Sequence, residues 1–231
     1  MAIGFKSCWR SFKPRYSRCE EGKPQKFNSH ALALDEYDAL SMEISLKRIF
    51  DLLLVLISFA VVLIPIVLIS LAISITSRGG VLHWSSRIGK NNKIFDMPKF
   101  RSMNINAPVV ATHLLESPEH YLTPIGAFLR KSSLDELPQL WSILVADMSF
   151  VGPRPALFNQ DDLIKLRTDC GVHELVPGLT GWAQINGRDE LSISEKVLLD
   201  KYYLDNKSLL LDLRIMVATL FKVVRKDGIA H

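Results

Sequence analysis

Cysteine is scarce in this 231-residue chain: only Cys8, Cys19 and Cys170 occur, and no two form a CxxC pair. Cys170 and His173 lie three apart, but no second Cys/His pair joins them, so the spacing argues against a structural zinc site. Few, scattered thiols suit a reducing compartment. Internal repeats and low-complexity tracts are absent. Surplus positive charge is also lacking over most of the chain. Residues 1–26 carry seven Lys/Arg against Glu20 and Glu21, a balance of +5, whereas the whole chain has a net charge of +4. Everything beyond Lys26 is therefore close to neutral, at −1, which gives no basic surface for nucleic acid. A basic tail confined to one end fits an anionic membrane surface, where each Lys or Arg contributes roughly 1 kcal/mol, as well as it fits a solvated tail without a partner.

Charge is missing altogether from Leu52 to Thr76, 25 residues in a chain whose hydrophobic content is 48%. A helix needs about 20 such residues to cross a hydrocarbon core. The run begins too far into the chain, and is too long, to be a signal-peptide core. Pro65 near its middle removes a backbone hydrogen bond and clashes with the preceding turn. Basic residues stand on both flanks, Lys47 and Arg48 before it and Arg78, Arg87, Lys90 and Lys93 after it. A simple span concentrates Lys and Arg on one side. The flanks thus favour a broken helix that enters and leaves on the same face, with a tilted, kinked span as the alternative. A second apolar run over 196–224 is interrupted by Asp212, Arg214 and Lys222. It reads either as an interfacial amphipathic helix or as a core helix.

The expected organisation has three parts. Residues 1–43 form a basic, irregular extension, 44–77 a membrane-inserted helix, and 78–231 a globular domain. The fold class is α+β and mainly helical, with interfacial helices and one small β-hairpin. That hairpin is predicted from two apolar stretches, Val81–Trp84 and Lys93–Phe95, separated by Gly89-Lys-Asn-Asn. Lys99 and Arg101 follow, on the same side of an extended strand.

Chemistry concentrates in residues 133–155, Ser-Leu-Asp-Glu-Leu-Pro-Gln through Gly-Pro-Arg-Pro. Pro138 fits a helix's first turn, with Asp135 near the N-cap and Glu136 following. The helix dipole would then keep both carboxylates ionised. Alone, such a pair is equally at home as a cap. Arg154 changes the weighing, because Pro153 and Pro155 restrict the backbone on both sides of it. Arg130 lies five residues before Asp135. Arg188 ends a segment, 177–188, with three glycines that let backbone approach a ligand. Fixed cations around a carboxylate pair are the parts for phosphoryl chemistry with a divalent metal.

Five pieces in order carry a resemblance: Lys47-Arg-Ile-Phe-Asp51, Lys99-Phe-Arg-Ser-Met103, Arg130 through Gln139, Asp147 through Pro155, and Pro177 through Arg188. Together they resemble the bacterial sugar transferase family of monotopic phosphoglycosyl transferases. The resemblance implies transfer of a sugar 1-phosphate from a UDP-sugar to polyprenyl (undecaprenyl) phosphate, releasing UMP. It implies Asp135 as nucleophile of a covalent intermediate, and Glu136 as its partner in holding Mg²⁺ or assisting the second attack. Arg130, Arg154, Arg188, Lys99 and Arg101 become the phosphate- and substrate-binding set, and Pro65 the break in a re-entrant membrane helix. It further implies the cytoplasmic face of a bacterial inner membrane and a first step in surface glycan synthesis such as O-antigen lipopolysaccharide, with a homodimer left open. Two positions depart from the family pattern: Met97-Pro98 precede Lys99, and Ile64 replaces the serine common before the helix-breaking proline. The competing readings are a non-catalytic membrane scaffold of a glycan-assembly complex and a single-pass protein with an extracytoplasmic binding domain.

Overall fold

The computed structural model describes residues 34–104, 118–187 and 190–225. The basic extension before residue 34 lies outside them. Helix α1, Leu34–Thr76, begins ten residues earlier than the sequence suggests and continues through Pro65. Its stretch Leu46–Thr76 is long and apolar enough to cross a membrane. Val55, Phe59, Val62, Ile66, Ile69 and Ile73 follow one another at intervals of three and four, and all pack inward. That spacing makes a single stripe. The opposite face leaves Leu53, Leu56, Val61, Ile64, Val67, Leu68 and Leu71 uncovered. Hydroxyls of Ser70 and Ser74 donate to carbonyls four residues back, at 2.7 and 2.9 Å, satisfying them within the helix.

The apolar stretch of this helix is tied to the globular domain at both of its ends. Near the start of the apolar stretch, Arg48 donates to the carbonyls of Ile143 and Leu144 at 2.6 and 2.7 Å. Lys47 pairs with Asp212, which also accepts from Tyr203. Asp51 accepts from the Phe150 amide at 3.2 Å. Past its end, Arg101 donates to the carbonyls of Arg78 and Ser77 at 2.7 and 3.0 Å. The flanking charges Lys47 and Arg48 therefore make tertiary contacts, which flank counting cannot register.

Strands β1 (Leu82–Ile88) and β2 (Ile94–Phe100) form the expected hairpin, antiparallel and longer than its apolar cores, with Leu82 opposite Phe100 and Ile88 opposite Ile94. Asn91 and Asn92 take positive φ at the turn, which asparagine tolerates better than most residues. Helix α2 (Gly126–Lys131) leads to a 3₁₀ segment, Leu134–Gln139, continued by the short helix α3 (Leu140–Leu144). Beyond them lies a parallel pair, β3 (Ser149–Val151) with β4 (Gly178–Thr180); a short strand within 177–188 is expected from sequence, its partner is not. Two glycines of 177–188, Gly178 and Gly181, lie against the Gly152 backbone here. A Cβ on Gly178 would fall 2.1 Å from the Gly152 amide nitrogen and 2.5 Å from the Thr180 carbonyl. Gly178→Ala is accordingly expected to destabilise by about 1–3 kcal/mol or more through backbone overpacking, measured as a lower unfolding midpoint.

Helices α4 (Asp161–Asp169) and α5 (Trp182–Ile185) flank that pair. The second apolar run divides at Lys207-Ser208 into α6 (Ile193–Asn206), started by a Ser192/Glu195 capping box, and α7 (Leu209–Arg225). The two pieces differ in burial. Val197, Leu199 and Tyr203 bury α6 in the core, whereas α7 buries Ile215 and exposes Leu210, Leu213, Val217, Leu220 and Phe221. The architecture is mainly helical with two small sheets, compatible with a membrane-associated domain.

Candidate active site

Hairpin and loop converge on one carboxylate. Glu136 Oε1 accepts from Lys99 Nζ at 3.1 Å and from Arg154 Nη2 at 3.2 Å. Lys99 arrives from β2, and Arg154 from the turn after β3. Burial pushes the Lys99 ammonium below its ordinary range; Glu136 opposes this and Arg154 reinforces it. A lysine so placed is held by its carboxylate partner in a site where positive charge is crowded.

Asp135 is 9% exposed, on the same 3₁₀ segment. Its surroundings correct the expectation of a dipole-stabilised carboxylate. Ser133 occupies the cap with φ of 56°, and the segment opens with a 3₁₀ turn rather than an α-helical one. Burial is the largest influence and raises the Asp135 carboxyl above its ordinary value; Lys99, Arg130 and Arg154 pull it back, while Glu136 adds to the rise. Desolvation disfavours the charged form. The anion that does exist there is poorly solvated and close to cations, a suitable state for a nucleophile.

Prolines do not brace Arg154 alone. Arg167 on α4 donates Nη1 to the Arg154 carbonyl at 2.8 Å. The same guanidinium grips Asp200 Oδ2 on α6 through Nε at 3.0 Å and Nη2 at 2.7 Å. Arg87 Nη1 reaches the next carbonyl, Pro155 O, at 3.4 Å. Three elements remote in sequence thus hold the turn that presents Arg154.

Of the residues singled out from sequence, Lys99, Asp135, Glu136 and Arg154 come together, and Arg130 lies close enough for its charge to act on Asp135. Arg101 does not join them: it is 7% exposed and is occupied with the carbonyls after α1. Alternation along a strand predicts Lys99 and Arg101 on one side, but the strand ends at Phe100, and Arg101 turns to the helix end. Arg188 lies outside the described residues. Arg87, read from sequence only as a flanking charge, sits near Arg154 and Glu136. The hairpin register held a signal for it, because positions 83, 85 and 87 of β1 share a face with position 99 of β2.

Among the described residues no group of three or more His, Cys, Asp or Glu is arranged to hold a metal. Asp135 and Glu136 together nonetheless suit a hard cation that draws its other ligands from substrate phosphates and water. A buried carboxylate beside braced cations can bind a phosphate ester and attack its phosphorus.

Comparison with known proteins agrees with this chemistry. The family described as bacterial sugar transferase matches residues 42–226. "Uncharacterized sugar transferase EpsL" of Bacillus subtilis (strain 168) is 40% identical over 190 residues, covering 80% of this chain and 90% of that protein. "Undecaprenyl-phosphate galactose phosphotransferase" of Salmonella typhimurium (strain LT2) is 34% identical over 200 residues, covering 79% of this chain and 41% of that protein. "UDP-glucose:undecaprenyl-phosphate glucose-1-phosphate transferase" of Escherichia coli (strain K12) is 36% identical over 186 residues, covering 77% and 40%. The chain thus spans most of the first relative but about 40% of the other two. A match over this length, with the braced Asp135–Glu136–Arg154 constellation inside it, means that the chain belongs to the bacterial sugar transferase family.

Proposed function

We propose that this protein transfers a sugar 1-phosphate from a UDP-sugar to polyprenyl phosphate, with release of UMP. The carrying observation is Asp135, buried among Lys99, Glu136, Arg130 and Arg154. Names of relatives support the polyprenyl acceptor and the sugar phosphate. In the first step an Asp135 carboxylate oxygen bonds to the sugar-bearing phosphorus. The bond from that phosphorus to the UMP oxygen breaks, and its electron pair leaves with UMP. In the second step a polyprenyl phosphate oxygen attacks the same phosphorus and returns the Asp135 carboxylate. Lys99 and Arg154 bind phosphate oxygens, and Arg130 steadies the charge near Asp135. Mg²⁺ held by Asp135 and Glu136 would add positive charge beside the diphosphate.

The acceptor is a lipid, and the outer surfaces suit one. The uncovered face of α1 and the row Leu210, Leu213, Val217, Leu220 and Phe221 on α7 are apolar and exposed. Because the apolar stretch of α1 is fastened to the domain at both its ends, the domain lies alongside that stretch rather than beyond one end. A helix crossing upright would draw that domain into hydrocarbon, where polar groups go unsatisfied. We therefore read α1 as inserted from one face only, the cytoplasmic face of a bacterial inner membrane, where nucleotide sugars are made. Single cysteines introduced at Leu46 and at Gly80 are expected to react with the same membrane-impermeant reagent on the same side. Labelling of the two from opposite sides would establish a span instead.

UMP release from a panel of UDP-sugars, with undecaprenyl phosphate and Mg²⁺, tests the activity. Release with one donor, absent in Asp135→Asn, is the expected result. Folded protein that releases UMP from no donor would favour a scaffold role in a glycan-assembly complex.

A further inference from the structure

Arg87 is the cation the reaction scheme above leaves unused. Its Nε donates to Ser85 Oγ at 3.1 Å and its Nη1 to Pro155 O at 3.4 Å. No carboxylate among the described residues pairs with it within ion-pair distance. The hairpin register turns it to the face that carries Lys99. An antiparallel bridge from Arg87 to Leu157, and the Ile88 amide on Ala156 O at 3.0 Å, fix its strand against the Arg154 turn. Burial, reinforced by Arg154 and opposed by Glu136, lowers its pKa to about 10. A partly buried guanidinium beside another guanidinium is unfavourable unless an anion joins them.

The order of charges indicates which anion. Fields acting on Asp135 come from Lys99, Glu136, Arg130 and Arg154. Those acting on Arg87 come from Arg154 and Glu136. Along the hairpin Arg87 faces Phe95, four residues from Lys99, and its guanidinium reaches the carbonyl that follows Arg154, so it stands at the Arg154 turn, away from the position of Lys99 on the strand. Lys99, Arg87, Arg154 and Arg130 against Asp135 and Glu136 leave an excess of two positive charges, matched to a diphosphate. We propose that Arg87 binds the leaving phosphate of the nucleotide-sugar donor, the one that departs as nucleoside monophosphate, while Arg154 and Lys99 hold the transferred one. This rests on the donor chemistry proposed above. As the phosphorus–oxygen bond breaks, the electron pair and developing charge pass to the phosphate that Arg87 contacts, so the contact strengthens during reaction.

UMP and uridine binding to the full chain in detergent or nanodiscs, measured calorimetrically with Mg²⁺, tests this. Arg87→Gln is expected to weaken UMP binding by about tenfold or more, the usual effect of losing one charge-assisted hydrogen bond, with uridine binding unchanged. Arg87→Lys should recover part of the loss. In turnover, kcat/KM for the UDP-sugar should fall in Arg87→Gln while kcat/KM for polyprenyl phosphate holds. Unaltered UMP affinity, or no UMP binding by the wild type, overturns the assignment. So does an equal fall in both kcat/KM values together with a lower Tm, which would mark Arg87 as a mere support for Pro155. Arg87-dependent UMP binding in a protein without turnover would retain this phosphate site and remove the proposed transferase reaction.

Discussion

Asp135→Asn is expected to reduce UMP release by about a thousandfold or more while leaving the protein folded and membrane-bound. An amide of the same shape cannot form the phosphoester, and loss of a covalent nucleophile ordinarily costs that much or more. Rapid-quench assay of UMP formation in wild type and variant measures it. Appreciable turnover by the variant would remove Asp135 from the nucleophile role. Two companions follow from its burial. Since the carboxyl is raised above its ordinary value of 3.8 and must be ionised to attack, the acid limb of kcat/KM should lie higher than for an exposed aspartate. Stability carries the opposite sign. A carboxyl whose folded pKa exceeds its unfolded one binds its proton more tightly when folded, so its contribution falls as pH rises through the window above 3.8. Asparagine removes that cost. At neutral pH the variant should therefore unfold at the same temperature as wild type or a higher one, as residues placed for chemistry rather than stability often do.

The largest loss of stability is expected from Asp200→Ala. Its side chain is 2% exposed and that of Arg167 is 11% exposed, so the pair is nearly cut off from water. Truncating the carboxylate leaves a buried guanidinium uncompensated, which typically costs about 3–5 kcal/mol. Denaturant midpoints in a fixed detergent measure it. Replacing both partners, Arg167→Met with Asp200→Leu, should recover most of that stability, because no lone charge remains. Activity should not return with it. Arg167 also donates to the Arg154 carbonyl, and methionine cannot. Recovery of both stability and turnover in the double variant would mean that the pair has no part in aiming Arg154.

Legibility from sequence differed by type of feature. The hairpin was readable because asparagines between two apolar stretches constrain a turn locally. The clustering of Asp135, Glu136 and Arg154 was readable in outline, since they lie within twenty residues and the prolines around Arg154 announce a fixed backbone. Arg101 was misassigned because strand alternation states which side a residue takes, but not where its strand stops. The glycines of 177–188 suggested a ligand, yet Gly178 faces the backbone at Gly152; absence of a side chain looks the same in either use.

By itself, the sequence determined the membrane segment, the family and the placing of a carboxylate pair near a braced arginine. These rest on local properties: an uncharged length, motif order and proline's restricted φ. Tertiary structure alone decided how each charge is used. It tied Lys47 and Arg48 to the domain, made burial rather than a helix dipole the influence on Asp135, and set Arg87 beside Arg154. The physical reason is that desolvation and ion pairing depend on what lies within a few ångströms. For these groups those neighbours are tens of residues away along the chain, as Lys47 and Asp212 illustrate.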